Sequence, residues 1–110
     1  MINIRPVNPA DVVGDPETSI AYFTDVEWGS LIALVRRHGF YPSDLHAYDH
    51  PVAFDAEASQ ALWAATRAAY RDDEVASNPL LKARVAKLMG CAQIGAEHGG
   101  IEILREHEFS

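Results

Sequence analysis

The chain has 110 residues, 48% hydrophobic and 23% charged, a length that fits one domain and a composition that excludes disordered, collagen-like and low-complexity chains. Nine Lys and Arg against 16 Asp and Glu give a formal charge of −7, which disfavours nucleic acid and anionic membranes and favours a basic partner. No apolar run is long enough to cross a bilayer, and the segment from Met1 to Pro6 lacks the basic start and apolar stretch of a secretory signal.

Ile2 and Ile4 alternate with polar residues, the period of a short strand that Pro6 ends. From Asn8 to Ser19 the chain places Pro9, Gly14 and Pro16 among Asp11, Asp15 and Glu17, the chemistry of an acidic surface loop. Thr24 and Glu27 then form a capping box, with each side chain able to bond the other residue's amide. Phe23 and Trp28 flank that box as a hydrophobic staple, so a helix starts at Asp25. Trp28, Leu31, Ile32 and Val35 keep its helical spacing, Arg36, Arg37 and His38 complement its negative end, and Gly39 stops it, with Phe40 folding back in a Schellman-type ending.

Residues 41–54 mix aromatic, His and Asp side chains between Pro42 and Pro51 without a sustained period, and read as an ordered loop. Asp55 is the N-cap of a second helix from Ala56 to about Arg71, whose inner face is Ala58, Ala61, Leu62, Ala65 and Ala69. Asp72, Asp73 and Glu74 follow as a solvated acidic connection. Asn78 and Pro79 are N-cap and N1 of a third helix that presents Leu81, Val85, Leu88, Met89 and Ala92 inward. Gly90 and Gly95 within it predict a bend, a shortening or an unusually close approach, and Gly99 and Gly100 end it. Ile101 and Ile103 begin a last strand that can pair with residues 2–5. The expectation is a single domain, residues 1–110, mainly α, with about three packed helices and a small two-stranded β element formed by the terminal segments. Exposed edges of those strands leave room for a homodimer.

Constellations that carry chemistry are scarce. His46, Asp49 and His50 are the nearest approach to a metal set, but Pro51 pushes His50 toward extended backbone and the first His is not followed by Glu, so no metal or other cofactor is assigned. Cys91 and the serines at 19, 30, 43, 59 and 77 lie in no nucleophile elbow, and no catalytic residue is assigned. Cys91 reads as a buried small hydrophobe, which fits a reducing, cytoplasmic compartment. Trp63, Arg67 and Tyr70 fall at i, i+4 and i+7 on the second helix, offset from its Ala and Leu face. Either they pack under a loop or they form a recognition stripe, with Arg67 stacked on Trp63. Acids concentrate in the loops, and Asp44, Asp49, Asp72, Asp73 and Glu74 would steer a basic protein if they converged on one face. Lys82, Arg84 and Lys87 form the one basic stretch and read as a solvated face.

The order Phe23-Thr24, Trp28, Leu31, Leu34, then Gly39-Phe40-Tyr41-Pro42, Asp55-Ala56, Cys91 and Gly99-Gly100-Ile101-Glu102-Ile103 resembles a group of small uncharacterised bacterial α-rich proteins. In that group a capped Trp helix ends at Gly-aromatic-x-Pro, and a late Cys helix runs into Gly-Gly and a strand. The resemblance implies a bacterial α-rich fold and no particular reaction. Small size, acidity and the Trp63 and Tyr70 anchors together favour a non-enzymatic protein that binds and inhibits a larger partner, as immunity proteins and phage inhibitors do. The alternative is a metal- or small-ligand-binding protein using the loop from His46 to His50.

Overall fold

The computed structural model describes residues 1–7, 20–43 and 45–106, the side chains of residues 45 and 46 excepted. The acidic loop expected over 8–19, and Asp44, lie outside the described residues. Among the described residues there are four strands, β1 (Ile2–Pro6), β2 (Ala21–Phe23), β3 (Val52–Phe54) and β4 (Ile101–Arg105). The helices are α1 (Asp25–Arg37), α2 (Ala56–Tyr70), α3 (Asp73–Ala76) and α4 (Pro79–His98), with a 3₁₀ turn at Leu45–Asp49.

The strands form one antiparallel sheet in the order β2-β1-β4-β3. The fold is therefore α+β with a substantial sheet, which corrects the expectation of a mainly α chain carrying two terminal strands. The β1–β4 pairing was anticipated, with Ile4 opposite Ile103 and Ile2 opposite Arg105. What the sequence reading lacked are the two outer strands. Each has three residues, too few to display a period of two. β2 is hidden behind the capping signal of α1, and β3 lies within the stretch 41–54 that was expected to be loop. The acidic connection also contains a helical turn, α3, because Val75 is wholly buried and pins it to the core.

Pairing register puts Ile2, Ile4, Ala21, Phe23, Ile101 and Ile103 on one sheet face, and all six are buried. Helix α4 lies against β1 and β4 on that face, and α2 packs along α4. Val85, Leu88, Cys91, Ala92 and Gly95 are the buried residues of α4, while Leu81 and Met89, expected inward, are half-buried. On α2 the buried face is Ser59, Leu62, Ala65, Thr66 and Ala69. Ala58 is half-buried and Ala61 exposed, so the inner face is rotated toward two hydroxyl residues. Both hydroxyls are satisfied locally: Ser59 Oγ donates to the Phe54 carbonyl at 3.3 Å, and Thr66 Oγ1 to the Leu62 and Trp63 carbonyls at 3.0 and 2.9 Å. A bonded hydroxyl loses most of its burial penalty.

The helix ends follow their chemistry. The Thr24 amide donates to Glu27 Oε1 at 2.9 Å and the Glu27 amide to Thr24 Oγ1 at 3.1 Å, completing the capping box. At the other end of α1 the Phe40 amide donates to the Val35 carbonyl and the Gly39 amide to the Arg36 carbonyl, with Gly39 at φ 89°, the Schellman pattern. Asn78 and Asp55 cap α4 and α2 by accepting from the Leu81 and Ala58 amides.

At one end of the sheet Arg105 reaches from β4 to Asp25 at 2.9 Å and Asp49 at 3.2 Å, tying the sheet to the start of α1 and to the 3₁₀ turn. The hydrogen bond from Arg105 holds the Asp25 carboxyl below its ordinary value of 3.8. The Thr24 backbone amide, with Arg84 nearby, does the same for Glu27 below 4.5. A depressed carboxylate contributes stability above its unfolded pKa and loses it as pH falls through the folded one. The urea midpoint should accordingly stay level at neutral pH and decline once pH drops below about 4.5. The Arg105→Gln variant should lose little stability at pH 7, because Asp25 is 36% exposed and solvent screens the pair. That variant should also decline less steeply in acid. An unchanged acid limb would show that Arg105 does not set the Asp25 titration.

Candidate binding site

Residues 63, 67, 70 and 71 recur on the side of α2 away from the sheet, and residues 86, 89, 90 and 93 recur on the facing side of α4. Between them lies an open groove of about 590 Å³, lined by Trp63, Arg67, Tyr70, Arg71, Ala86, Met89, Gly90 and Gln93. Its small floor residues, Ala86 and Gly90, stand one turn apart, and nothing lies within 4 Å of where a Gly90 Cβ would be. Trp63 and Tyr70 are half-buried: each packs against the core on one edge and faces the groove with the rest. Arg67 stands 5.2 Å over the Trp63 ring and the Lys82 ammonium 5.2 Å over the Tyr70 ring. A smaller depression of about 140 Å³ shares Trp63 and Gln93 with the groove.

The structure thus joins the three stripe residues singled out in the sequence on one concave surface. Core packing and exposure, posed as alternatives for Trp63 and Tyr70, both hold in part. Three of the predicted acids are engaged elsewhere. Asp72 meets His38 Nε2 at 2.7 Å and Glu74 meets Arg37 at 3.0 Å, both at the C-terminal end of α1, while Asp49 meets Arg105. Asp73 is exposed at the start of α3. Arg71, Ala86, Met89, Gly90 and Gln93 were not foreseen as lining residues. The only signal for them was the glycine at 90, which costs the helix stability and borders open space.

A second hollow, of about 520 Å³, lies among α1, α3 and α4 and includes Arg37, Glu74 and Arg84. Its charges are already matched, Arg37 with Glu74 and Arg84 with Glu27 at 2.8 Å. An ion pair held by its own partner offers a ligand little.

Among the described residues no three His, Cys, Asp or Glu side chains gather as a metal set. Of the loop candidates, Asp49 is committed to Arg105, His50 is exposed, and the His46 side chain lies outside the described residues. Cys91 is buried, and burial pushes its thiol up to about 12, so it stays protonated and unreactive at neutral pH. No described helix is long and apolar enough to cross a membrane. No protein-family model, curated protein or solved structure matches the chain significantly.

Proposed function

We propose that this protein is a non-enzymatic binding protein of the immunity or phage-inhibitor type, which docks on a larger protein and blocks it by occupancy. The observation that carries the reading is the pair of half-buried aromatics, Trp63 and Tyr70, framing an open groove between α2 and α4. Trp, Tyr and Arg are the residues that most often dominate an interface, and here all three line one concavity. The formal charge of −7 supplies long-range attraction to a partner that is basic overall. A buried, protonated thiol suits a reducing compartment, and the cytoplasm is the proposed location.

The test is capture from host lysate with the tagged protein beside its Trp63→Ala and Gly90→Leu variants, each checked for folding by circular dichroism. A stoichiometric partner should be held by the parent chain and weakened roughly 30-fold or more by Trp63→Ala, the effect of losing an anchor worth about 2 kcal/mol. Gly90→Leu fills the groove and should act in the same direction. Equal capture by all three proteins would remove the groove from consideration, and absence of any partner would remove the binding function.

A further inference from the structure

We propose that the α2–α4 groove receives an acidic amphipathic helix, with an apolar side chain seated between Trp63 and Tyr70 and carboxylates held by Arg67, Arg71 and Lys82. The inference rests on the reading of this groove as the docking surface, and adds the chemistry of the segment that enters it.

It follows from where the chain leaves its positive charge. Arg5, Arg37, Arg84 and Arg105 are bound to Glu106, Glu74, Glu27 and Asp25. Arg36 donates to the Pro42 carbonyl at 3.0 Å, and Lys87 to the Tyr22 carbonyl at 2.8 Å. The remaining three of the nine cations are Arg67, Arg71 and Lys82, which among the described residues meet no carboxylate. All three border one groove, Arg67 and Arg71 as lining residues and Lys82 through its position over the groove's Tyr70. The acids nearest the groove turn to other partners and keep their charge: Glu97 accepts from the Gln93 amide at 3.3 Å, Asp72 meets His38, and Asp73 is exposed at the start of α3. A chain with 16 acids thus sets three cations that meet no carboxylate among the described residues beside two aromatic rings.

Local charge decides contact and net charge decides approach. Screening limits exposed charges to about 8–10 Å at physiological salt, so a carboxylate seated in the groove responds most to the Arg67, Arg71 and Lys82 that it touches. A partner that is basic overall can therefore be drawn in and still present an acidic helix. The shape favours a helix as well. From Trp63 to Tyr70 the wall runs about 10 Å, two helical turns, and the paired helices with a low Ala86 and Gly90 floor form the kind of trough in which a third helix lays its apolar stripe. Met89, being flexible, can adjust to the anchor.

The probe is a fluorescein-labelled Ala-based helical peptide with Leu anchors at helical spacing flanked by Glu, alongside its twin with every Glu replaced by Lys, titrated by anisotropy. The Glu peptide should bind the parent chain and do so at least about tenfold more tightly than the Lys twin. Arg67→Ala, Arg71→Ala and Lys82→Ala combined should weaken it by at least about tenfold, and so should Gly90→Leu, whose Cβ meets open space and whose fold is checked by circular dichroism. Equal or tighter binding of the Lys twin, indifference to the triple substitution, or no saturation below ~1 mM overturns the proposal. The docking reading fails separately: partner capture untouched by Gly90→Leu would sink both, whereas capture lost in Gly90→Leu but kept in the triple variant would retain the groove and reject its acidic occupant.

Discussion

Replacing Gly100 by alanine is expected to destabilise the protein by about 3–5 kcal/mol, a large share of the stability of a domain this size. Two separate costs add. Gly100 has φ 125°, a conformation that L side chains rarely adopt. Its Cβ would also run into the Phe54 carbonyl oxygen and stand 3.1 Å from the Asp55 Cα, backbone atoms that cannot swing aside. The site joins three elements, because Gly100 leads from α4 into β4, abuts the end of β3, and accepts from the Val7 amide at 3.1 Å beyond β1. Urea denaturation should show a midpoint lowered by roughly 2 M. Gly90→Ala is the matched comparison: with open space and helical backbone it should gain about 1 kcal/mol. A Gly100→Ala midpoint within error of the parent would mean that the β3–β4 corner can move apart.

The contrast between those glycines also marks the limit of the sequence. Gly39 and Gly99 are legible as helix stops because local chemistry alone decides them: a periodic run ends, and both adopt φ 89°. Gly95 and Gly90 read alike in sequence and behave oppositely. A Cβ on Gly95 would collide with Ser59 of α2 and sit 3.1 Å from Ile101 Cγ2, whereas Gly90 borders empty space. Only the packing of α4 against α2 and β4 separates them. The caps of α1 and the presence of β1 and β4 came from short-range signals. β2 and β3 did not, since a three-residue strand is defined by the neighbour it pairs with.

The candidate site divides in the same way. Trp63, Arg67 and Tyr70 share one helix, so spacing alone reveals that they share a face. Their counterparts on α4 need the tertiary arrangement. The acids failed to mark a surface because a carboxylate's role depends on which partner it meets, and Asp49 and Asp72 meet Arg105 and His38, 56 and 34 residues away. Ser59 and Thr66 are likewise missing from the inner face expected of α2, since hydropathy prices a hydroxyl without knowing that a carbonyl waits about one turn behind it.

Trp28→Ala is expected to cost about 3–5 kcal/mol, which leaves a marginal domain close to unfolding at 25 °C. Trp28 is 2% exposed and joins three elements through its ring: Phe23 of β2 lies 5.8 Å away, and Tyr48 of the 3₁₀ turn meets it edge-on at 5.6 Å. Truncation leaves a cavity and removes two aromatic contacts worth roughly 0.5–1.5 kcal/mol each. Among the described residues, neither Trp28 Nε1 nor the Tyr48 hydroxyl of the same cluster has a hydrogen-bond partner. Tyr48→Phe should therefore raise stability by about 1 kcal/mol, because it deletes an orphaned polar group and keeps the ring. Alkaline pH separates this cause from better packing. Burial pushes the Tyr48 hydroxyl from 10.0 up to about 12, so the unfolded chain ionises first, and this contribution is complete below pH 10 and lost as pH climbs toward 12. Urea midpoints measured from pH 8 to 11.5 should fall for the parent chain and fall less for Tyr48→Phe, the remaining decline coming in part from Cys91, also raised to about 12. A Phe variant that is less stable at neutral pH would show that the Tyr48 hydroxyl has a partner after all, and an unaltered alkaline slope would show that its ionisation is not what the buried cluster opposes.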